Sequence, residues 1–352
     1  MSYYVIDKLN KATSMMNAGD LDNAAAIFLE MQKVDEFFSV CCYQLASISN
    51  MTGDPETAYN MYYTAFKRKP KLASQLFGAK HTSFDYVFRG KKQEREQLNC
   101  PLCKSIGVPY WCYPLLEASG YNEKFNPIRM WLHCERCHHL FAQHFPEKLF
   151  LLNASPRTTN PAFFPYYSEI LSKIKARGYA KGMTLFEVGI GASECLLAAR
   201  EIGYQTFGID VIGKHVETAK KSYGLNVETA DFITYETHKK WDVIIMGDVL
   251  EHVSDPVAAV EKVSRMIAED GCVWISTPTF ESAFSAVVGH DDAMRRQQYH
   301  LNYFSRQSLY SLLENHGLTP VDYHISAHYN GSMEVVAVKK NPRKKINHLP
   351  IA

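Results

Sequence analysis

Four cysteines form the most specific pattern of chemistry-bearing residues in the sequence. They stand as two Cys-x-x-Cys pairs, Cys100 with Cys103 and Cys134 with Cys137, with thirty residues between the pairs. Two residues between cysteines let both sulfur atoms of a pair face one ion, and two pairs complete a tetrahedral site. We predict one structural zinc ion per chain, because a closed four-cysteine site leaves no coordination position for a substrate.

Glycines and acidic residues of the C-terminal half could bind a ligand. Glu187 precedes Gly189 and Gly191 at the end of an apolar run, and backbone at alternate glycines can approach a ligand at a helix N-terminus. Glu194 occupies the place of the third glycine of the dinucleotide fingerprint, which disfavours a dehydrogenase. Asp210 ends the next apolar run about twenty residues later, where a carboxylate can accept both hydroxyls of a ribose.

Further polar residues follow the next two apolar runs and a later segment. Asp231 and Phe232 offer an acceptor for an adenine amino group and a ring to lie on the base. Asp248 and His252 follow the fourth run, and His300 lies further along. Imidazole is the side chain most often used as a general base, so His252 and His300 are the candidate catalytic residues.

The ordered set Glu-x-Gly-x-Gly, Gly-Ile-Asp, Ala-Asp-Phe and Asp-Val-Leu-Glu-His-Val-x-Asp-Pro resembles the motifs of class I S-adenosylmethionine-dependent methyltransferases. The resemblance covers roughly residues 160–340. It implies a doubly wound Rossmann-like sheet that binds S-adenosylmethionine as cofactor. It also assigns parts of the cofactor to residues of this chain: the cationic portion to Glu187, Gly189 and Gly191, the ribose to Asp210, the adenine to Asp231 and Phe232, and the methionine moiety to Asp248 or the adjoining backbone.

The resemblance implies an in-line methyl transfer, in which holding the nucleophile on the S–CH₃ axis and excluding water supply most of the acceleration. An oxygen nucleophile also has to lose a proton, and we assign this step to His252 or His300. Two methyltransferase groups, those of small-RNA 2′-O-methylation and of ubiquinone biosynthesis, have a magnesium site with a similar residue pattern. The corresponding residues of this chain are Asp248, Glu251, His252 and His300. A catalytic Mg²⁺ is not favoured, because imidazoles are less natural ligands for it than carboxylates.

The elements that must position these residues follow from short apolar runs alternating with helical patterns. This β-α alternation predicts a parallel sheet whose ligand lies beyond the carboxyl ends of the strands. We expect strands at 183–190, 205–211, 226–230, 241–246 and 271–276. The resemblance to the methyltransferases implies two more strands, at about 318–325 and 333–339.

The first 78 residues repeat themselves with a period of 34. Gly19 followed by Ala24 recurs as Gly53 followed by Ala58, and 34 residues is the period of tetratricopeptide repeats. These helices either bind a protein partner, self-associate, or only pack on the next domain. We predict three regions: tetratricopeptide-like helical repeats over 1–78, a zinc-ribbon domain with a small β-sheet over 79–148, and a connector with the methyltransferase domain over 149–352.

Residues 277–299 follow the fifth strand, where substrate-covering insertions occur. Their polar and aromatic mixture suits a lid, in which Arg295 and Arg296 could grip a phosphorylated substrate. The alternative is a surface helix with ordinary salt bridges.

Composition constrains the compartment and the partners. The chain has 352 residues, with 38 basic against 37 acidic groups, so no overall field attracts nucleic acid or an anionic membrane. No secretory signal is visible, and no apolar run approaches the ~20 residues that span a bilayer. We therefore expect a cytoplasmic protein without a membrane partner, and nucleic acid is not favoured.

The function predicted is methyl transfer to an unidentified small or carbohydrate-type acceptor, with structural zinc. An RNA or protein methyltransferase with a catalytic divalent cation is the first alternative. A non-catalytic cofactor-binding interaction protein is the second, and the intact cofactor carboxylates argue against it.

Overall fold

The chain forms an N-terminal helical region, a small antiparallel sheet and a C-terminal α/β sheet. The computed structural model describes residues 3–90, 94–118, 120–146, 157–289, 292–326 and 331–339. Within these ranges, no helix has both the length and the apolar character needed to cross a membrane.

The N-terminal region consists of paired helices. They are α1 (Tyr3–Asn17), α2 (Leu21–Met31), α3 (Phe38–Met51), α4 (Pro55–Arg68) and the short α5 (Ala73–Leu76). Gly19 and Gly53 turn the chain with nearly the same φ, +85° and +87°, a conformation that glycine adopts without steric cost. Ala24 and Ala58 are fully buried, so the helices approach closely at equivalent positions. The sequence repeat is thus a structural repeat, while its tetratricopeptide assignment and any partner stay predictions.

A four-stranded antiparallel sheet, here called the ribbon sheet, carries the second cysteine pair at one end of a strand. Its strands, in spatial order, are β11 (Asn302–Tyr303), β4 (His139–Ala142), β3 (Ile128–Cys134) and β2 (Val108–Pro114). A separate pair joins β1 (Glu94–Glu96) to β5 (His144–Pro146). In β11, Asn302 pairs with Phe141 and Tyr303 with Leu140. The predicted boundary at residue 148 therefore falls between strands of one sheet.

The helical region packs directly on the ribbon sheet. Tyr62 and Phe66 of α4 share an apolar cluster with Met130 of β3. Asn50 of α3 covers the outer edge of β2, because its Oδ1 accepts from the Cys112 amide at 3.0 Å and its Nδ2 donates to the Cys112 carbonyl. An edge strand otherwise leaves such backbone groups unpaired, so this side chain takes the place of a neighbouring strand.

The C-terminal half forms a seven-stranded sheet. In spatial order the strands are β12 (Leu318–Ile325), β13 (Ser332–Lys339), β10 (Ile267–Pro278), β9 (Trp241–Gly247), β6 (Thr184–Val188), β7 (Gln205–Asp210) and β8 (Val227–Thr229). All neighbours from β10 to β8 are parallel, but β13 runs antiparallel to both β10 and β12. The sheet is mixed rather than wholly parallel, because the few residues between β12 and β13 are too short for a crossover helix.

Helices cover both faces of this sheet. On one face lie α6 (Phe164–Ala176), α7 (Glu194–Ile202) and α8 (Gly213–Tyr223), and on the other lie α9 (Pro256–Met266) and α11 (Arg306–Asn315). The short α10 (Ala283–Val288) follows β10. Leu185 and Phe186, adjacent in β6, point into two different apolar clusters, as alternate side chains of a strand do. With both faces filled, the turns at the carboxyl ends of the strands are the place for a ligand.

Candidate active site

The turn after β6 presents its backbone at the start of α7. Gly189 and Gly191 both have positive φ, +74° and +48°. The Gly189 amide donates to the Ile209 carbonyl at 2.8 Å, and a Cβ on Gly189 would lie 3.1 Å from Cγ2 of Val249. A Cβ on Gly191 would meet nothing within 4 Å. The glycine turn is therefore packed on one side and has room for a ligand on the other.

Asp210, at the end of β7, is fixed by three donors. Its Oδ2 accepts from the Gly191 amide at 3.1 Å and from Nδ1 of His215 at 3.2 Å, and its Oδ1 accepts from the Ile212 amide at 2.7 Å. A carboxylate offers about four acceptor positions, so Oδ1 keeps room for a further donor such as a ribose hydroxyl. His215 was missed by the sequence analysis, although it lies only five residues after Asp210.

Glu187 is a buried acid, and one of its two carboxylate oxygens is unsatisfied among the described residues. Its side chain is 6% exposed, and its Oε2 has no hydrogen-bond partner in the described part of the chain. Burial, together with the nearby Glu194 and Asp210, raises the pKa of Glu187 well above its usual range. A buried carboxylate oxygen without a partner costs free energy, which a bound cation would recover. This corner of the site therefore suits the cationic part of a ligand.

The two residues assigned to an adenine base have different surroundings. Asp231 accepts from the Ile233 amide at 2.9 Å through Oδ1, which shapes the turn after β8. Phe232 is only 4% exposed, and its ring centroid lies 6.4 Å from that of Phe186 in the core. The Phe232 ring is thus used mainly for core packing, a placement that its position in the sequence does not reveal. Stacking on a base stays a prediction.

Residues 248–255, the β9 loop, are held by the end of β10. Asp248 has a φ of +52°, its amide donates to the Ser276 carbonyl at 2.9 Å, and its Oδ1 accepts from Oγ of Ser276 at 3.2 Å. Glu251 is 1% exposed and accepts from Oγ1 of Thr277 at 3.0 Å. Burial raises the pKa of Asp248 to about 6, and burial beside Asp248 raises that of Glu251.

The two candidate bases, His252 and His300, lie side by side. Their ring centroids are 4.8 Å apart at an interplanar angle of 67°. His252 donates through Nδ1 to the Tyr299 carbonyl at 3.0 Å, and His300 donates through Nδ1 to the Met294 carbonyl at 2.8 Å. Burial lowers the pKa of His252 to about 4 and that of His300 well below its usual range. Both rings are therefore neutral near pH 7, with the Nε2 lone pair free to accept a proton.

Glu251 joins the histidines in a group that could hold a metal ion. One donor atom from each of Glu251, His252 and His300 lies within 4.8 Å of the other two. Among the described residues Asp248, the fourth member of the predicted magnesium pattern, stands outside this group of three.

The four cysteines meet as their spacing predicts. Sγ of Cys100 lies 3.6 Å from that of Cys137, Sγ of Cys103 lies 3.4 Å from that of Cys134, and all four are within 4.8 Å of one another. A tetrahedral zinc with Zn–S bonds of about 2.3 Å needs sulfurs about 3.8 Å apart, whereas a disulfide needs about 2.05 Å. The donor set therefore fits zinc.

Residues 292–300, which end at His300, contact the ribbon sheet through hydrogen bonds from Arg129 and Trp131. Arg295 is 5% exposed, donates to Oγ of Ser285 at 3.0 Å, and lies 3.8 Å from Oδ2 of Asp292. Arg296 pairs with Glu117 at 3.3 Å. Arg295 is thus engaged inside the protein rather than presented to a phosphorylated substrate. Residues 290–291 of the predicted lid lie outside the described residues.

Arg129 of β3 holds this segment in place and was not singled out from the sequence. It is 3% exposed and donates to the carbonyls of His300 at 2.6 Å and Gln298 at 2.7 Å. No spacing rule could have found it, because its acceptors are backbone atoms about 170 positions along the chain.

Residues 163–323 match the family model described as a methyltransferase domain. These residues, slightly less than half of the chain, are similar to a methyltransferase domain. The chain's relatives include two proteins named ubiquinone biosynthesis O-methyltransferase, from Pelagibacter ubique (27% identical over 141 residues) and Leptothrix cholodnii (28% over 128 residues). The matches cover 37% and 34% of this chain, and 59% and 54% of the relatives. The chain thus spans little more than half the length of the curated relatives it matches.

About half of this chain is similar to solved structures of methyltransferases. The magnesium protoporphyrin IX methyltransferase of Synechocystis PCC 6803, with bound S-adenosylhomocysteine, is 14% identical with a TM-score of 0.41, over 53% of this chain and 90% of that one. The CcbJ methyltransferase of Streptomyces caelestis is 11% identical with a TM-score of 0.42, over 51% and 97%. The family match over residues 163–323 supports the methyltransferase domain predicted from the sequence. The zinc ribbon and the roles of individual residues stay predictions.

Proposed function

We propose that this chain transfers a methyl group from S-adenosylmethionine to an oxygen atom of a small or carbohydrate-type acceptor. The observation that carries the proposal is a buried carboxylate with one unpartnered oxygen, Glu187, close to Asp210 and the glycine turn in the segment that matches the methyltransferase family. S-adenosylmethionine combines positive charge with a ribose, so it matches both acids. The name O-methyltransferase of the curated relatives supports an oxygen nucleophile.

Bound S-adenosylmethionine supplies an electrophilic methyl group on a positively charged sulfur. The chain has to hold the acceptor oxygen in line with the S–CH₃ bond and take up its proton. Nε2 of His252 or His300 would accept this proton, and the bound cofactor would supply the methyl carbon to the acceptor oxygen and retain the S–C electron pair on its sulfur. The His252 side chain is 25% exposed and that of His300 lies deeper, so His252 is the base nearer to an entering acceptor.

We propose a structural role for zinc at the four cysteines. The ion would be held by Cys100, Cys103, Cys134 and Cys137. It would thereby join the segment before β2 to the end of β3. All four donors come from the protein, so no position remains for a substrate.

The proposal is tested by binding first and transfer second. Purified full-length protein should bind S-adenosylmethionine in a calorimeter, and protein without such binding would reject the methyltransferase function. Methyl-labelled S-adenosylmethionine is then incubated with the protein and four acceptor pools: small phenols, sugars, RNA and protein. Label in the phenol or sugar pool is expected, and label only in RNA or protein would overturn the acceptor class.

A divalent cation at Glu251, His252 and His300 defines the second candidate function, an RNA or protein methyltransferase whose acceptor hydroxyl binds the metal. Two imidazoles and one carboxylate suit a transition metal better than Mg²⁺. Metal analysis separates the two candidates. Metal-assisted transfer requires two bound ions in the wild type and one in His300→Gln, whereas our main proposal expects one zinc in both.

A further inference from the structure

We propose that Asn302 is a positioning residue that ties the β9 loop, and with it Glu251 and His252, to the ribbon sheet. The inference rests on the proposed methyl transfer and adds a role for the ribbon in that reaction.

Asn302 is fully buried and binds the β9 loop at three carbonyls. Its Nδ2 donates to the carbonyls of Leu250 at 3.2 Å and Val253 at 2.7 Å, and its backbone amide donates to the Glu251 carbonyl at 3.1 Å. One side chain and its own amide therefore fix the stretch of loop that carries the acid and the base.

The other end of the Asn302 amide faces His139. Oδ1 lies 3.1 Å from Nε2 of His139, which is also fully buried. Because both Nδ2 hydrogens of Asn302 go to carbonyls, Oδ1 has to accept, and Nε2 of His139 has to be the donor. Nδ1 of His139 then carries no proton, in agreement with its lack of a hydrogen-bond partner among the described residues.

His139 begins β4 only two residues after Cys137, so two side chains connect the second cysteine pair to the β9 loop. The backbone makes the same connection, because Asn302 lies in β11 and pairs with Phe141 of β4. Arg129 of β3 adds a third link through the His300 carbonyl. Residues of the ribbon sheet thus hold the segments that carry both candidate bases, His252 and His300.

The chemistry explains why such a support matters. An in-line displacement requires the acceptor, its base and the methyl group to be aligned, and a displacement of about 1 Å can cost about 100-fold in rate. The glycine turn and Asp210 belong to other strands, and Asp248, the cofactor residue of the β9 loop, is held by Ser276 of β10. Cofactor binding should therefore not depend on Asn302. A positioning role therefore predicts a loss in kcat without a matching loss in cofactor affinity.

The test uses the full chain and four variants. Asn302→Ala removes the donors to Leu250 and Val253, and His139→Phe removes the donor to Asn302. His139→Gln restores an amide donor at that position. His138→Asn is the matched control, because His138 is exposed beside the same cysteine and asparagine tolerates its φ of +55°.

Four quantities are measured for each protein: zinc content, affinity for S-adenosylmethionine, hydrogen exchange of peptides covering 248–255, and kcat with the acceptor found by labelling. Asn302→Ala and His139→Phe should speed exchange in 248–255 at least tenfold and lower kcat 10- to 100-fold. Zinc content and cofactor affinity should stay within twofold. His139→Gln should recover most of the lost rate, and His138→Asn should match the wild type.

Unchanged exchange and kcat in Asn302→Ala would overturn the proposal. Loss of zinc, cofactor affinity and exchange protection throughout the chain would also overturn it, since that pattern marks a general stabilising role. If the wild type binds S-adenosylmethionine but methylates nothing, the exchange and affinity data still decide whether Asn302 holds the loop. Failure of the proposed function is then distinct from failure of this inference.

Discussion

The amide of Gly191 donates to the carboxylate of Asp210 across 3.1 Å. This bond joins the glycine turn after β6 to the end of β7, two places that the sequence assigns to different parts of one cofactor. Residues that share a hydrogen bond do not contribute independently. We therefore expect changes at Asp210 to disturb the turn as well as the ribose contact.

Replacement of Asp210 should weaken cofactor binding. Oδ1 keeps one acceptor position for a ribose hydroxyl, and a hydrogen bond to a charged group contributes about 1.5–3 kcal/mol, so Asp210→Ala should weaken S-adenosylmethionine binding about 10- to 100-fold. Asp210→Asn retains one acceptor oxygen and should lose less. Calorimetry measures both. Asp270→Asn, which alters an exposed acid paired with Lys181, is the control, and normal affinity in Asp210→Ala would contradict the assignment.

Glu187→Gln should bind S-adenosylmethionine more weakly than the wild type and should be more stable. The pKa of Glu187 is raised in the folded protein, so its contribution to the free energy of unfolding is present below its usual pKa of about 4.5 and is lost as pH rises toward the raised value. The melting temperature of Glu187→Gln relative to the wild type should therefore increase from pH 5 to pH 8. Thermal unfolding at the two pH values checks this. A difference that shrinks over the same interval would show that Glu187 is ionised and compensated.

The variants His252→Ala and His300→Ala should separate the base from its neighbour. Loss of a general base typically costs 10²- to 10⁴-fold in rate, and the histidine that accepts the proton should show the larger loss. Affinity for S-adenosylmethionine should change little, because neither ring lies on the glycine turn. Initial rates and calorimetry provide the two readouts, with His238→Ala as an exposed-histidine control. Full activity in both variants would mean that no imidazole takes the proton.

Zinc should leave the protein when one ligand is lost. Cys100→Ser should contain less than one zinc per chain and should unfold at lower temperature, because binding of a structural metal contributes directly to folding. Cys112→Ala changes a buried cysteine outside the four-cysteine group and should keep its zinc. Elemental analysis of both variants and the wild type is decisive, and a metal-free wild type would refute the site.

Local patterns predicted most of the C-terminal fold. Glu194–Ile202 was expected as a helix and is α7, and strand β7 differs from its prediction by one residue. The direction of β13 was not predictable from periodicity, because a strand has the same alternation whichever way it runs. It follows instead from the short connection to β12.

The candidate site was predictable where one strand end supplies one residue, as with Asp210. It was not predictable where a side chain binds backbone atoms that are distant in sequence, as Arg129 does. It was also not predictable whether an aromatic ring packs in the core or contacts a ligand, as with Phe232. β11 could not be recognised either, since two residues, Asn302 and Tyr303, carry no periodic signal. Such features depend on tertiary packing, which the spacing of residues along the sequence does not reveal.

The late strand β11 also affects how the chain can fold during its synthesis. The ribosome releases β2, β3 and β4 early, but their fourth neighbour emerges only near the end of translation. Until then β4 has an open edge, and the donor of His139 lacks its acceptor. An open strand edge is a template for wrong pairing, and domains usually complete themselves from the N-terminus first. The ribbon sheet can therefore be completed only when almost the whole polypeptide has been synthesised. A chain truncated before residue 302 would expose the unpaired edge of β4 and would be prone to aggregation.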